Sequence, residues 1–219
     1  MDLRLVVRMA GIAVCALMGY VLALRVLPSA MMSIFSPAIR SPWILYAAVQ
    51  GIASMMPFAV FTAVLWSARG SSPQDHRKRL RSYALLTAAA SLVAGAVTVW
   101  AVPPLISAFE HAWHLTTVGA AWPAMIFASI TTGAACVTFA LLGVALAPYV
   151  RRTVQFVLAV VLIPFCLLLA NTLTALYAVR NGLRSPMGVL LPTLALHVLI
   201  LCLALAMIAS RRRVGGAPA

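Results

Sequence analysis

The sequence predicts an all-α fold, a polytopic transmembrane bundle of six helices with short loops and both termini cytoplasmic. Three observations carry that expectation. The 219-residue chain is 64% hydrophobic, with a mean hydropathy of +1.05, well above what a water-soluble domain of this size carries. Its apolar residues gather into six long stretches, and the basic residues fall almost entirely in alternate connections. Arg4 and Arg8, then Arg69, Arg77, Lys78, Arg79 and Arg81, then Arg151 and Arg152, then Arg211, Arg212 and Arg213 account for twelve of the 16. Only Arg25, Arg40, Arg180 and Arg184 fall on the other side, so the positive-inside rule assigns the arginine-rich side to the cytoplasm.

The six spans are expected at 5–27, 43–67, 83–108, 122–146, 154–178 and 187–210, all within one integral membrane domain, 1–219. The first follows Arg4 and Arg8 and leads to Pro28-Ser29-Ala30, a loose imitation of a secretory signal. Its apolar run is long and Arg25 interrupts the cleavage region, so it reads as a helix; cleavage would leave five spans. Residues 28–37 are too apolar for a solvated loop and too short to span, which suits the outer interface. The second span opens at Arg40-Ser41-Pro42 and closes at Trp66. The strongly polar segment 69–79 that follows reads as a cytoplasmic anchor, with docking of an acidic partner or lipid as its functional alternative. The third and fourth spans carry Ser91 with Gly95 and Ser129 with Gly133, spacings that let helix backbones approach. Gly11, Cys15 and Gly19 on the first helix and Ala47 and Gly51 on the second form similar faces. Pro57, Pro164 and Pro192 interrupt the second, fifth and sixth spans, where each removes a backbone donor. Trp43, Trp100, Trp122 and Tyr177 near outer ends, with Trp66, Tyr83 and Tyr149 near inner ones, supply both interfacial belts.

Each span needs roughly 20 apolar residues, so six of them leave no length for a soluble catalytic or nucleotide-binding domain. The net charge of +13 flanks the apolar spans on one side, where anionic headgroups are the counter-ions, and nucleic acid is excluded as a partner. The expected partners are the lipid bilayer and other membrane subunits or an ATPase. Arginine outnumbers lysine fifteen to one, a coding habit that points to a bacterial inner membrane. Cys15, Cys136, Cys166 and Cys202 lie inside spans without metal-ligand spacing and read as small packing residues. No Asp or Glu lies in any span, which disfavours carboxylate-based proton or sodium coupling. No phosphate-binding loop is present.

The polar residues inside spans are the natural site candidates. Gln50, Asn171 and His197 fall seven, seven and ten residues from the expected outer ends, about 10 to 15 Å deep at ~1.5 Å per residue. They are expected to form one layer, a pocket for a polar solute in which His197 also exchanges protons; hydrogen bonds that fix packing are the competing role. Arg180 and Arg184 flank a tight outer turn that attracts anionic ligands. Beyond the third span, Glu110, His111 and His114 offer two imidazoles three residues apart and a carboxylate, part of a metal set without the order of the zinc proteases. Met31 and Met32 on the same side extend that possibility to copper. No cofactor is expected beyond a metal ion at that outer face. The leading functional expectation is a transport protein or membrane subunit of a transport complex. A non-catalytic assembly subunit comes second, and a metal-dependent membrane enzyme using Glu110, His111 and His114 third; a catalytic role is the less favoured.

Overall fold

The computed structural model describes residues 3–28, 40–69, 73–101, 122–180 and 186–214, and these residues are helical apart from the turns at 69 and 147–152. Helix α1 (Leu3–Val21) runs into a π-helical turn at Leu22–Val26, and α2 is Arg40–Ala68. Helix α3 (Pro73–Ala96) ends in a second π-helical turn at Val97–Ala101, and α4 (Trp122–Leu146), α5 (Thr153–Arg180) and α6 (Pro186–Val214) follow. Among the described residues, Leu3–Val26, Ala48–Ala68, Arg79–Ala101, Ile126–Leu146 and Thr153–Ala170 are long and apolar enough to cross a bilayer. Within α6, Leu194–Ser210 adds a shorter apolar stretch.

The polar segment expected to be a cytoplasmic loop is largely helical instead, because α3 begins at Pro73. Proline is suited to a first helical turn, where its missing N–H has no intrahelical partner to lose and its φ is already helical. Residues 73–78 therefore prolong α3 ahead of its apolar span and add Arg77 and Lys78 to the helix.

One helix is enclosed and one is at the rim. In α2, 72% of the apolar window is buried, against 6% in α5. Both are apolar on all sides, so side-chain size makes the difference. Gly51, Ala53, Ala59, Ala63 and Ala68 let neighbours reach the α2 backbone from several directions, and α1, α3, α4 and α5 all pack on it. On α5, Val154, Val157, Leu158, Val161, Leu162 and Phe165 point outward, a surface suited to lipid.

Small residues set the closest approaches. A Cβ on Gly143 of α4 would sit 3.1 Å from the Phe61 carbonyl oxygen and 3.2 Å from the Leu65 nitrogen, so α4 meets the α2 backbone itself there. Helices α3 and α4 exchange small residues in antiparallel register: a Cβ on Gly95 would meet Ser129 Oγ at 2.6 Å, and one on Gly133 would meet Ser91 Cβ at 3.7 Å. The Ser91–Gly95 and Ser129–Gly133 faces thus pack on each other. The first-helix face behaves differently. Gly11 and Gly19 have nothing within 4 Å of where a Cβ would stand, and Cys15 is exposed; α1 instead turns Met9, Ala13 and Val21 inward. Of the other cysteines Cys136 is buried, whereas Cys166 and Cys202 are exposed, so packing inside the bundle explains only one of the four.

Aromatic rings fill the space beside Gly143. Phe139, four residues earlier on α4, meets Phe58 edge-on at 5.0 Å and Phe61 at 6.4 Å between centroids. Tyr20 approaches Phe58 at 6.1 Å from the α1 side. Hydroxyls of Thr62, Thr87, Ser91, Thr98, Thr132 and Thr138 donate back to carbonyls one turn earlier, at 2.8 to 2.9 Å, which satisfies them inside an apolar bundle.

Tyr20 has a further role, visible only in three dimensions. Pro164 in α5 has no N–H, so the Val160 carbonyl one turn before it loses its helical donor. The Tyr20 hydroxyl supplies that bond across the interface at 2.7 Å. Thr62 Oγ1 on α2 lies 2.9 Å from the same phenolic oxygen, and its one proton serves either that oxygen or the Phe58 carbonyl. One phenol therefore ties α1, α2 and α5 together at a proline. Tyr20→Phe is expected to cost about 1–2 kcal/mol, because it leaves a half-buried carbonyl without a donor. In a Pro164→Ala background, where the helix regains its own donor, the cost should fall below about 0.5 kcal/mol. Thermal unfolding of the four proteins in mild detergent measures both numbers, and equal costs in the two backgrounds would rule the linkage out.

Candidate functional site

The π-helical turn at the end of α1 carries Arg25. Such a turn accommodates an extra residue and rotates the side chains that follow it, a device common where a helix must present a particular group. Here it lays the Arg25 stem across α2 at Gly51. The Gly51 Cβ position lies 3.1 Å from Arg25 Cγ, 3.3 Å from Arg25 Cβ and 3.2 Å from Val21 Cγ1. A Cβ at position 51 would press on the Arg25 stem and Val21, which would have to give by a few tenths of an ångström. Gln50, its neighbour in sequence, is half-buried, as is Arg25 itself. The second π-helical turn, Val97–Ala101, also packs against α2. Helices α1 and α3 both run antiparallel to α2, so the two irregular turns lie towards the end of the bundle where α2 begins. Arg25 thus brings a permanently charged guanidinium with five N–H donors to this end of the bundle, and Gln50, with a primary amide that donates and accepts, stands one residue before Gly51 on α2.

The other sequence candidates are distributed as follows. His197 of α6 is half-buried and meets Phe139 edge-on, with centroids 6.1 Å apart. Because Phe139 packs on Phe58, seven residues beyond Gly51, the imidazole lies about 10 Å further along the α2 axis than the Arg25 contact, at ~1.5 Å per residue. Asn171 lies on the helical backbone of α5, and its side chain is outside the described surroundings. Arg180 is exposed at the C-terminal end of α5. Arg184, Glu110, His111, His114, Met31 and Met32 lie outside the described residues. Among the described residues no three His, Cys, Asp or Glu side chains gather in a way that would hold a metal ion.

Sequence reasoning missed Arg25 as a site residue. Its position at the end of an apolar span suggests an exposed flank, and nothing in the residues announces the π-helical turn that carries it over α2. The absence of a side chain at Gly51 is the one available signal. Comparison with protein-family models, with curated proteins and with solved structures finds no match. The apolar helices themselves define the class: an all-helical, multi-pass membrane protein.

Proposed function

We propose that this protein is an integral membrane transport protein, or the membrane subunit of a transport complex, with an outward-facing pocket for a small polar solute. In this reading six helices span a bacterial inner membrane with both termini in the cytoplasm. The distribution of basic residues supports that orientation. Trp100 and Tyr177, exposed near one end of the bundle, and Tyr149, exposed near the other, support two interfacial levels. The bilayer is one partner, and further membrane subunits or an ATPase supply energy where transport is active.

The observation that carries the proposal is Arg25 held across Gly51 beside Gln50. A cation against the interior helix of a membrane bundle is expensive to place, and such residues mark solute or ion paths by default. Gln50 contributes a directional hydrogen-bonding partner at the same level, and His197, deeper along α2, provides a second polar station; Asn171 and Arg180 belong to the same pocket in this proposal.

An assembly subunit is the second reading, favoured by the outward apolar surface of α5 and by the unoccupied Gly11, Cys15 and Gly19 face of α1. Thermal stabilisation of the purified chain by a panel of carboxylates, inorganic anions, amino acids, sugars and divalent cations separates the two. Transport predicts saturable stabilisation by one chemical class that Arg25→Gln and Gln50→Ala each weaken about tenfold or more, in line with loss of a charge-assisted hydrogen bond. Failure of every class to stabilise, together with a stoichiometric membrane companion in mild-detergent preparations, would instead establish the assembly role.

A further inference from the structure

The opposite end of the bundle, where α2 stops and α3 and α5 begin, holds cationic and hydroxyl groups that the protein itself leaves unsatisfied. Arg69 continues the last turn of α2, its N–H bonded to the Leu65 carbonyl at 3.0 Å. Its guanidinium carbon sits 4.6 Å from the centroid of Phe156, in the first turn of α5. Stacking on a ring orients the guanidinium but provides no hydrogen-bond acceptor in its plane, and Arg69 Nη1 is buried without a hydrogen-bond partner. Tyr83 on α3 is only 4% exposed, and its hydroxyl is likewise buried without a partner.

Three more arginines belong to this end. Arg79, one helical turn before Tyr83, donates from Nη1 to the Ser67 carbonyl at 2.7 Å, which fastens α3 to the same turn of α2. Arg151 and Arg152 occupy the turn between α4 and α5. Gln155 Oε1 accepts from their backbone N–H groups at 3.1 and 3.0 Å, which fixes that turn beside Phe156 and leaves both side chains exposed. The whole chain has three acidic residues; Asp75 stands on α3 one turn before Arg79 with its side chain outside the described surroundings, and no carboxylate lies among the described side chains.

Buried donors are almost always satisfied, so two orphans at one cationic end, with no acceptor among the described side chains, call for one from outside the chain. It must be anionic to offset the arginines and must present several oxygens to meet a guanidinium fork and a phenol together. A phosphate group has that chemistry, and guanidinium binds it with paired hydrogen bonds. The depth also fits, since basic residues at the end of apolar helices stand at the level of phospholipid headgroups.

We infer that the Arg69–Tyr83 end of the bundle is a phosphate-binding site, occupied by a phospholipid headgroup or by free phosphate, with Arg79, Arg151 and Arg152 supplying the surrounding positive field. The inference is independent of the solute pocket at Arg25, which lies towards the other end of α2.

Delipidated full-length protein in neutral detergent is titrated with phosphatidylglycerol, diacylglycerol, inorganic phosphate and chloride at matched ionic strength, and the midpoint of thermal unfolding is followed. Saturable stabilisation is expected from phosphatidylglycerol or phosphate and not from diacylglycerol or chloride. Response to the lipid alone identifies a headgroup; response to inorganic phosphate identifies the free anion. Arg69→Gln should weaken the apparent affinity about tenfold or more, as expected for a charge-assisted hydrogen bond. Tyr83→Phe keeps the ring, removes a hydroxyl that has no protein partner, and should fold normally while binding several-fold more weakly. If Arg69→Gln does not fold, Arg69→Lys preserves charge but not the paired geometry and should show the same direction. Replacing Arg211, Arg212 and Arg213 together by Gln should leave the affinity unchanged. Equal stabilisation by chloride or diacylglycerol, wild-type affinity in Tyr83→Phe, or an equal loss in the triple variant would overturn the site.

Discussion

The close approach of α4 to the backbone of α2 at Gly143 is the constraint on which the rest of the bundle depends. With no side chain at Gly143, α4 comes within contact of the Phe61 carbonyl and the Leu65 nitrogen, which places Phe139 between Phe58 and Phe61. That ring in turn receives His197 and thereby seats α6. On the other side of α2, Gly51 receives Val21 and the Arg25 stem, and Tyr20 reaches over Thr62 to the carbonyl that Pro164 strips of its helical donor. Apolar attraction contributes little to helix association in lipid, where tails are as apolar as side chains. Close backbone contact and a few buried hydrogen bonds are left to hold the helices, and both kinds converge on α2.

Much of this was legible in the residues. Apolar runs mark the helices, and the paired Ser and Gly at 91, 95, 129 and 133 mark a contact that the structure forms between α3 and α4. What the residues did not reveal has a common physical origin. Which of several all-round apolar helices becomes the interior one depends on competition among faces: Gly11, Cys15 and Gly19 satisfy the same spacing rule as Ala47 and Gly51 yet face outward, and Gly143, outside any such pair in the sequence reading, makes the closest approach to α2. The π-helical turns likewise arise from packing. They leave no mark in composition, and one of them moves Arg25 from the flank where its sequence position suggests it should stand to a place across the interior helix. The partner of Pro164 was similarly hidden, since Tyr20 lies 140 residues from the carbonyl it serves.

The two ends of α2 differ in a way that bears on function. At its beginning, Arg25 lies across Gly51 where two helices end in π-helical turns, the place proposed for the solute. At its end, Arg69 stacks on Phe156 and Arg79 clamps the last turn, an arrangement suited to holding a fixed anion at the membrane surface. Between them the aromatic packing around Phe139 separates the two polar regions with tightly buried apolar rings. The contacts at both ends depend on α2 being enclosed.

Lipid accessibility along the helices tests that enclosure most directly. Single cysteines introduced along 55–65 of α2 and 154–165 of α5, in protein whose native cysteines are replaced, are spin-labelled in bilayers and their collision with dissolved oxygen is measured. Enclosure predicts uniformly low accessibility along α2 and high accessibility along α5, with a minimum on the side that meets Tyr20. Comparable lipid exposure of the two helices would contradict the account.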